Sequence, residues 1–163
     1  MRVALYQPDI PQNTGTILRM AACVNVTVDV IGPAGFDMSE RALRRAGLDY
    51  LDQVEIERHV SFAEFDRRRR ALGVRLLLLT TAGAASYTDF SYAETDILLA
   101  GRESAGVPAE VHQAADARLR VPMSTGLRSL NVAVALAMVL GEALRQTGHF
   151  DMLVAAPSGT PQA

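Results

Sequence analysis

Short, continuously apolar runs alternate along this chain with longer stretches whose apolar residues recur at helical spacing, and few architectures accept that pattern. Residues 3–6, 26–31, 54–58, 74–80, 96–100 and 117–121 read as strands. Strands this short and this apolar are covered on both faces. Residues 14–24, 39–46, 62–72, 108–115 and 129–146 read as helices between them. The alternation predicts an α/β fold: a mainly parallel open sheet with helices on both faces. In such a sheet, ligands sit beyond the carboxyl ends of the strands. The length of 163 residues suits one domain, expected over 1–150. Residues 151–163 turn to Ala, Pro, Ser, Gly and Thr and read as a flexible tail.

The last helical segment is apolar all round from Val132 to Leu140, with Ser129 placed to cap it. A helix without a polar face is buried, in its own core or in a partner's. A helix–helix dimer interface is an attractive outcome. The run is far shorter than the ~20 residues of a membrane span. The N-terminal strand reaches Gln7, Pro8 and Asp9 too soon for a signal peptide, so a cytoplasmic protein with no membrane partner is expected. Cys23 is the single cysteine, which excludes a disulfide framework or a cysteine zinc site within one chain. His59, His112 and His149 are scattered without ligand spacing, and no metal is expected.

A net charge of −2 does not advertise nucleic-acid binding, but all 16 basic side chains are Arg. The guanidinium fork grips phosphate through paired hydrogen bonds. Arg41, Arg44 and Arg45 form one cluster, and Arg67, Arg68, Arg69 and Arg70 another. Each is either a phosphate contact or a solvated helix face.

Three motifs carry chemistry. The first runs from Pro11 through Asn13, Thr14 and Gly15 to Arg19, where a strand gives way to a helix. Asn13 or Thr14 can cap that helix, and Arg19 would lie about one turn in, able to reach an anion at the helix end. The second runs from Leu98 to Pro108 and holds Gly101, Arg102, Glu103, Ser104 and Gly106. It lacks the spacing of a dinucleotide fingerprint and the Lys of a phosphate loop, which disfavours NAD binding and ATP hydrolysis. The third runs from Arg120 to Met123 and on to Arg128, Ser129, Leu130 and Asn131. Polar groups at the mouth of an apolar helix line a site or simply cap it.

Taken together, N-x-G-x-x-x-R, G-x-E-x-x-G-x-P and R-S-L-N resemble the SPOUT methyltransferases, most closely the small tRNA wobble-position ribose 2′-O-methyltransferases. Residues 43–50, the Leu5-Tyr6-x-Pro8 stretch and Arg145-Gln146-x-Gly148 extend the resemblance over about residues 1–150. The resemblance implies a C-terminal deep trefoil knot, a homodimer, and transfer of a methyl group from S-adenosylmethionine, leaving S-adenosylhomocysteine, to a ribose 2′-hydroxyl. The implied target is position 34 of tRNA, cytidine or modified uridine, with leucine tRNA isoacceptors the first expectation. Rival readings are another tRNA or rRNA nucleotide, a non-catalytic member that binds RNA or cofactor, and an unrelated nucleotide- or flavin-binding protein.

Carried over motif by motif, the cofactor contacts are Leu79, Thr80, Gly101, Val121, Ser129 and Leu130. The catalytic set is Arg19, Asn13 and Glu103. Arg19, Arg44, Arg45 and Arg128 are implied RNA contacts. An Arg side chain stays protonated, so Arg19 suits a phosphate clamp and stabiliser of the developing alkoxide better than a base. Asn13 would orient the ribose, and Glu103 would hold its loop or Asn13. Relatives in this subgroup read Gly-Pro-Glu-Thr where this chain has Gly101-Arg102-Glu103-Ser104, making Arg102 a candidate contact to RNA or a partner subunit. They carry Tyr-Glu-Ala-Trp where it has Gly141-Glu142-Ala143-Leu144.

Overall fold

The structure, a computed structural model, describes residues 1–45 and 51–155. Its strands are β1 (Arg2–Tyr6), β2 (Thr27–Ile31), β3 (Ile56–His59), β4 (Leu76–Leu79), β5 (Ala85–Ser86), β6 (Ile97–Ala100) and β7 (Ala117–Arg120). The helices are α1 (Pro11–Cys23), α2 (Glu40–Arg45), α3 (Phe62–Ala71), α4 (Ala109–Ala114), α5 (Val132–Gln146) and α6 (His149–Ala155). The strands form one sheet in the order β3-β2-β1-β6-β4-β7-β5. Every pairing in it is parallel.

Side-chain alternation divides the core between the two faces. Val3, Leu5, Val28, Val30, Leu77, Leu98 and Leu119 pack with Ile17 and Leu18 of α1 and Leu136, Val139 and Leu140 of α5. Ala4, Tyr6, Ile31, Leu76, Leu78 and Leu99 pack on the other face with Phe65 of α3 and Val111 of α4. Because both faces are covered, β4 and β6 read as continuous apolar runs.

Buried charge in this core is paired, as its desolvation demands. Asp29 accepts from Arg2 Nε at 2.7 Å and Arg2 Nη2 at 2.8 Å, and lies 2.7 Å from His59 Nε2. Asp29, Glu57 and His59 are the one group among the described residues spaced to hold a metal ion, but Arg2 also pairs with Glu57, as does Arg68. The second Arg cluster is largely structural. Arg69 is buried and reaches Asp66, Asp116 and two carbonyls, while Arg70 pairs with Asp66.

Several elements begin elsewhere than their sequence suggests. α1 starts at Pro11, with Ile10 in the capping position and no side-chain cap. Proline needs no partner for a missing N–H at a first helical position. Neither Asn13 nor Thr14 caps, and Arg19 lies two turns in rather than one. α5 is capped by Asn131, not Ser129: Asn131 Oδ1 accepts from the Ala133 and Val134 amides at 2.9 and 3.3 Å. The two-residue β5 was too short to show a period. α6 occupies residues that composition assigned partly to a tail. Only half of α5 is buried: Val134 and Met138 on the opposite side are 50% and 40% exposed. No described helix is long and apolar enough to cross a membrane.

Candidate functional site

In a parallel sheet all carboxyl ends face one edge, and the loops leaving β4, β6 and β7 meet there. Together with the segment before α5 they enclose a cavity of about 560 Å³. All six residues expected at the cofactor line it: Leu79, Thr80, Gly101, Val121, Ser129 and Leu130. Asn13 and Glu103 from the expected catalytic set line it too.

The loop after β6 shapes the cavity. It closes on itself through Arg102 N–H to Gly106 O at 3.1 Å and Gly106 N–H to Arg102 O at 2.7 Å. Gly101 sits against this closure. A Cβ there would lie 2.9 Å from Val107 Cγ1 and 3.0 Å from the Gly106 carbonyl carbon. Only glycine fits without displacing the loop.

Leu79, Val107, Leu119, Val121, Leu130 and Val132 supply apolar wall, with polar side chains lining the rest. Arg102 and Glu103 are the charged residues among the lining, with His112 the one further titratable ring. A cavity of this size and chemistry suits an adenosine-like ligand better than a polyphosphate, which calls for several cationic or amide donors. The residues present therefore fit S-adenosylmethionine.

One side of the cavity is a polar chain. Glu103 Oε1 accepts from Asn13 Nδ2 at 3.1 Å. Asn13 Oδ1 accepts from Asn131 Nδ2 at 2.9 Å. Glu103 Oε2 accepts from the Asp9 amide at 3.1 Å, and Asp9 Oδ1 accepts from the Glu103 amide at 3.2 Å. Ser104 Oγ donates to Asp9 Oδ2.

Among the described side chains, none of the expected RNA contacts lines the cavity. Arg19 and Arg128 are exposed and do not line it. Arg19 follows Asn13 by six residues on α1, about 9 Å along the axis at the usual rise. Arg44 pairs with Asp52 at 2.5 Å. Arg45 ends α2, its side chain outside those described, and residues 46–50 of the Leu43–Tyr50 motif lie outside the described residues. Arg102 turns inward within its own chain: its Nε donates to Gln7 O at 3.3 Å and its Nη2 to Gln7 Oε1. Two of its donors are thus spent within the chain, on the segment that precedes α1. Sequence reasoning missed Asp9 and the pairing role of Asn131. Asp9 contacts residues 94 and 95 positions away, which no local pattern encodes.

Comparison with known proteins places this geometry. Residues 1–141 match the family model described as the SpoU rRNA Methylase family. A protein of Beijerinckia indica named tRNA (cytidine(34)-2'-O)-methyltransferase is 58% identical over 155 residues, covering 95% of this chain and 97% of its own. A protein of the same name from Escherichia coli K12 is 37% identical over 151 residues, covering 91% and 95%. A solved structure described as "Structural insights into the 2-OH methylation of C/U34 on tRNA" superimposes with a TM-score of 0.83 at 41% identity, covering 89% of this chain and 94% of that one. The SpoU methyltransferase AviRb of Streptomyces viridochromogenes, solved in complex with the cofactor AdoMet, gives 0.78 at 28% identity over 90% of this chain and 60% of that one. With its glycine-gated cavity and near-full-length relatives, this chain belongs to the SpoU methylase family.

Proposed function

We infer that this protein is an S-adenosylmethionine-dependent methyltransferase acting on the ribose 2′-hydroxyl of the wobble nucleotide, position 34, of tRNA. The observation that carries the reading is the joining of one apolar, glycine-gated cavity to the Glu103–Asn13–Asn131 chain at its side. The likeness of relatives bearing that activity, over 95% of this chain, supports the substrate.

Held in the cavity, S-adenosylmethionine would supply an activated methyl group, with S-adenosylhomocysteine as the product. Leu79, Val121 and Leu130 take the adenine, and the backbone around Thr80, Gly101 and Ser129 takes the polar edges. Glu103 fixes the Asn13 amide so that it presents a constant orientation to the ribose. Arg19 clamps the neighbouring phosphate through its guanidinium fork and stabilises charge developing on the 2′-oxygen. Much of the acceleration comes from holding the two reactants in line.

In this reading the working unit is a homodimer in the cytoplasm. The exposed half of α5, with Val134, Ala137 and Met138, is apolar and continuous with the helix's buried half. A second copy is its natural cover. Arg44, Arg45 and Arg128 contribute to the RNA surface. The trefoil knot belongs to the same reading, supported by the path of the chain from β7 past the cavity to pack α5 on α1 and β6.

Methyl transfer from labelled S-adenosylmethionine to total tRNA of cells lacking the wobble methyltransferase tests the proposal. Label on the ribose of nucleotide 34 is expected. Label elsewhere moves the target, and no label with no S-adenosylhomocysteine-induced rise in melting temperature ends the reading.

A further inference from the structure

We propose that Asp9 is a positioning residue for the reaction, acting through Glu103. The proposal rests on the assignment of Asn13 and Glu103 to the ribose side of the site.

Asp9 and Glu103 clasp each other reciprocally. Each offers its backbone N–H to the other's carboxylate, at 3.1 and 3.2 Å. This leaves Glu103 with one oxygen committed to Asp9 and the other to Asn13. A glutamate with three rotatable bonds is otherwise a poor fixed point. The second Asp9 oxygen accepts from Ser104 Oγ, so the carboxylate spans two successive residues of the loop.

Asp9 is itself held from behind. The Gly35 amide donates to Pro8 O at 2.8 Å, and a Cβ at Gly35 would lie 2.8 Å from Asp9 Cβ. No other residue type lets the segment after β2 come so close. Two positions earlier, Gln7 adopts a φ of +45°, a left-handed conformation that a non-glycine residue seldom takes. Arg102 bonds both its carbonyl and its side chain. Ties at Gln7 and at Asp9 thus pin the segment entering α1 to the loop after β6. These are the two segments that carry Asn13 and Glu103.

The consequence is directional. Fixing Asp9 fixes Glu103, Glu103 fixes the Asn13 amide, and Asn13 fixes Asn131 at the start of α5. Asp9 does not line the cavity, so its removal acts on turnover through geometry and not through cofactor contact. Displacement of a reactant-orienting group on the order of 1 Å can cost about a hundredfold in rate.

The test is a double-mutant cycle in the full-length protein, with turnover on tRNA, KM for S-adenosylmethionine and melting temperature as readouts. Asp9→Ala is expected to lower kcat roughly ten- to hundredfold, with KM for the cofactor changed less than about twofold. In a Glu103→Ala background it is expected to lower kcat no further, because the carboxylate that Asp9 positions through the Glu103 backbone is gone. Asp9→Asn, which keeps an acceptor for the Glu103 amide, should recover most of the turnover. Normal kcat in Asp9→Ala, an additive loss in the double variant, or Asp9→Asn as impaired as Asp9→Ala would each overturn the proposal. If Glu103→Ala itself keeps normal turnover, the assignment of the ribose side fails first, and the proposal with it. Should Asp9→Ala melt too low to assay, Ser104→Ala carries the cycle. Its smaller loss, about two- to threefold for one hydrogen bond, must vanish in the Glu103→Ala background, and its persistence overturns the proposal.

Discussion

Replacing Arg69 by Met separates two meanings of a run of four arginines. Its side chain is 3% exposed, and it spans α3, the start of β4 and the turn between α4 and β7. Nε donates to Asp66 Oδ1 at 2.7 Å; Nη1 donates to Asp116 Oδ2 at 2.7 Å and Val74 O at 3.2 Å; Nη2 donates to Ala114 O at 2.6 Å. Methionine fills the channel but leaves two carbonyls and two carboxylates short of a donor. Removing one member of a buried ion pair costs about 3–5 kcal/mol. Asp116 is 47% exposed and keeps the Leu76 amide, and Asp66 keeps Arg70, so the low end, about 3 kcal/mol, applies.

For a chain of 163 residues this corresponds to a melting temperature lower by roughly 6–12 °C. Urea denaturation at fixed protein concentration measures it, since the proposed homodimer would make stability concentration-dependent. Burial acts to raise the Asp116 carboxyl, but the Leu76 amide and Arg69 outweigh it and hold the group below its ordinary value. A depressed carboxylate stabilises the fold above its unfolded-state pKa, and that stability is lost as pH falls through the folded value. The gap between wild type and variant should therefore narrow on acidification. A variant that melts within about 2 °C of wild type but binds tRNA tenfold more weakly would refute the structural account of Arg69 in favour of a phosphate contact.

Three further outcomes follow from the site and its surroundings. Gly101→Val should abolish the S-adenosylhomocysteine-dependent rise in melting temperature, because even a Cβ there meets Val107 at 2.9 Å; retained binding by calorimetry would show that the loop yields. Arg19→Lys should lower kcat at least about tenfold with cofactor affinity unchanged, since lysine lacks the planar fork, and near-normal turnover would discard the clamp. If the proposed homodimer packs on the exposed half of α5, Met138→Asp should shift sedimentation toward the monomer, while unchanged sedimentation would discard that interface.

The sheet was legible because its strands are buried on both faces and carry their signal in a few consecutive residues. Leu76–Leu79 and Ile97–Ala100 leave no other reading. Helix starts were less legible, and for a chemical reason. Asn13 and Ser129 have the side chains of helix caps, but Asn13 is committed to Glu103 and Asn131, and Ser129 faces the cavity. α1 instead opens on Pro11, which needs no partner, behind Ile10 with no side-chain cap, and α5 is capped by Asn131. Such conflicts between local preference and actual use concentrate at functional sites. The Arg102–Gln7 tie and the Asp9–Glu103 clasp join positions more than 90 residues apart, so no window along the chain contains both partners.

Because every strand pairing is parallel, the molecule is polar along the strand direction. The cavity, Asn13 and the two clasped loops all gather at the edge where strands end, and the turns at the edge where strands begin are left without a part in the chemistry. The turn between α3 and β4 is open there: Leu72 is 77% exposed. It is a natural attachment point for a fluorophore or surface linker. A molecule anchored there would present its RNA-facing edge outward and unobstructed, which makes single-particle and surface-binding measurements on tRNA feasible without altering the site they observe.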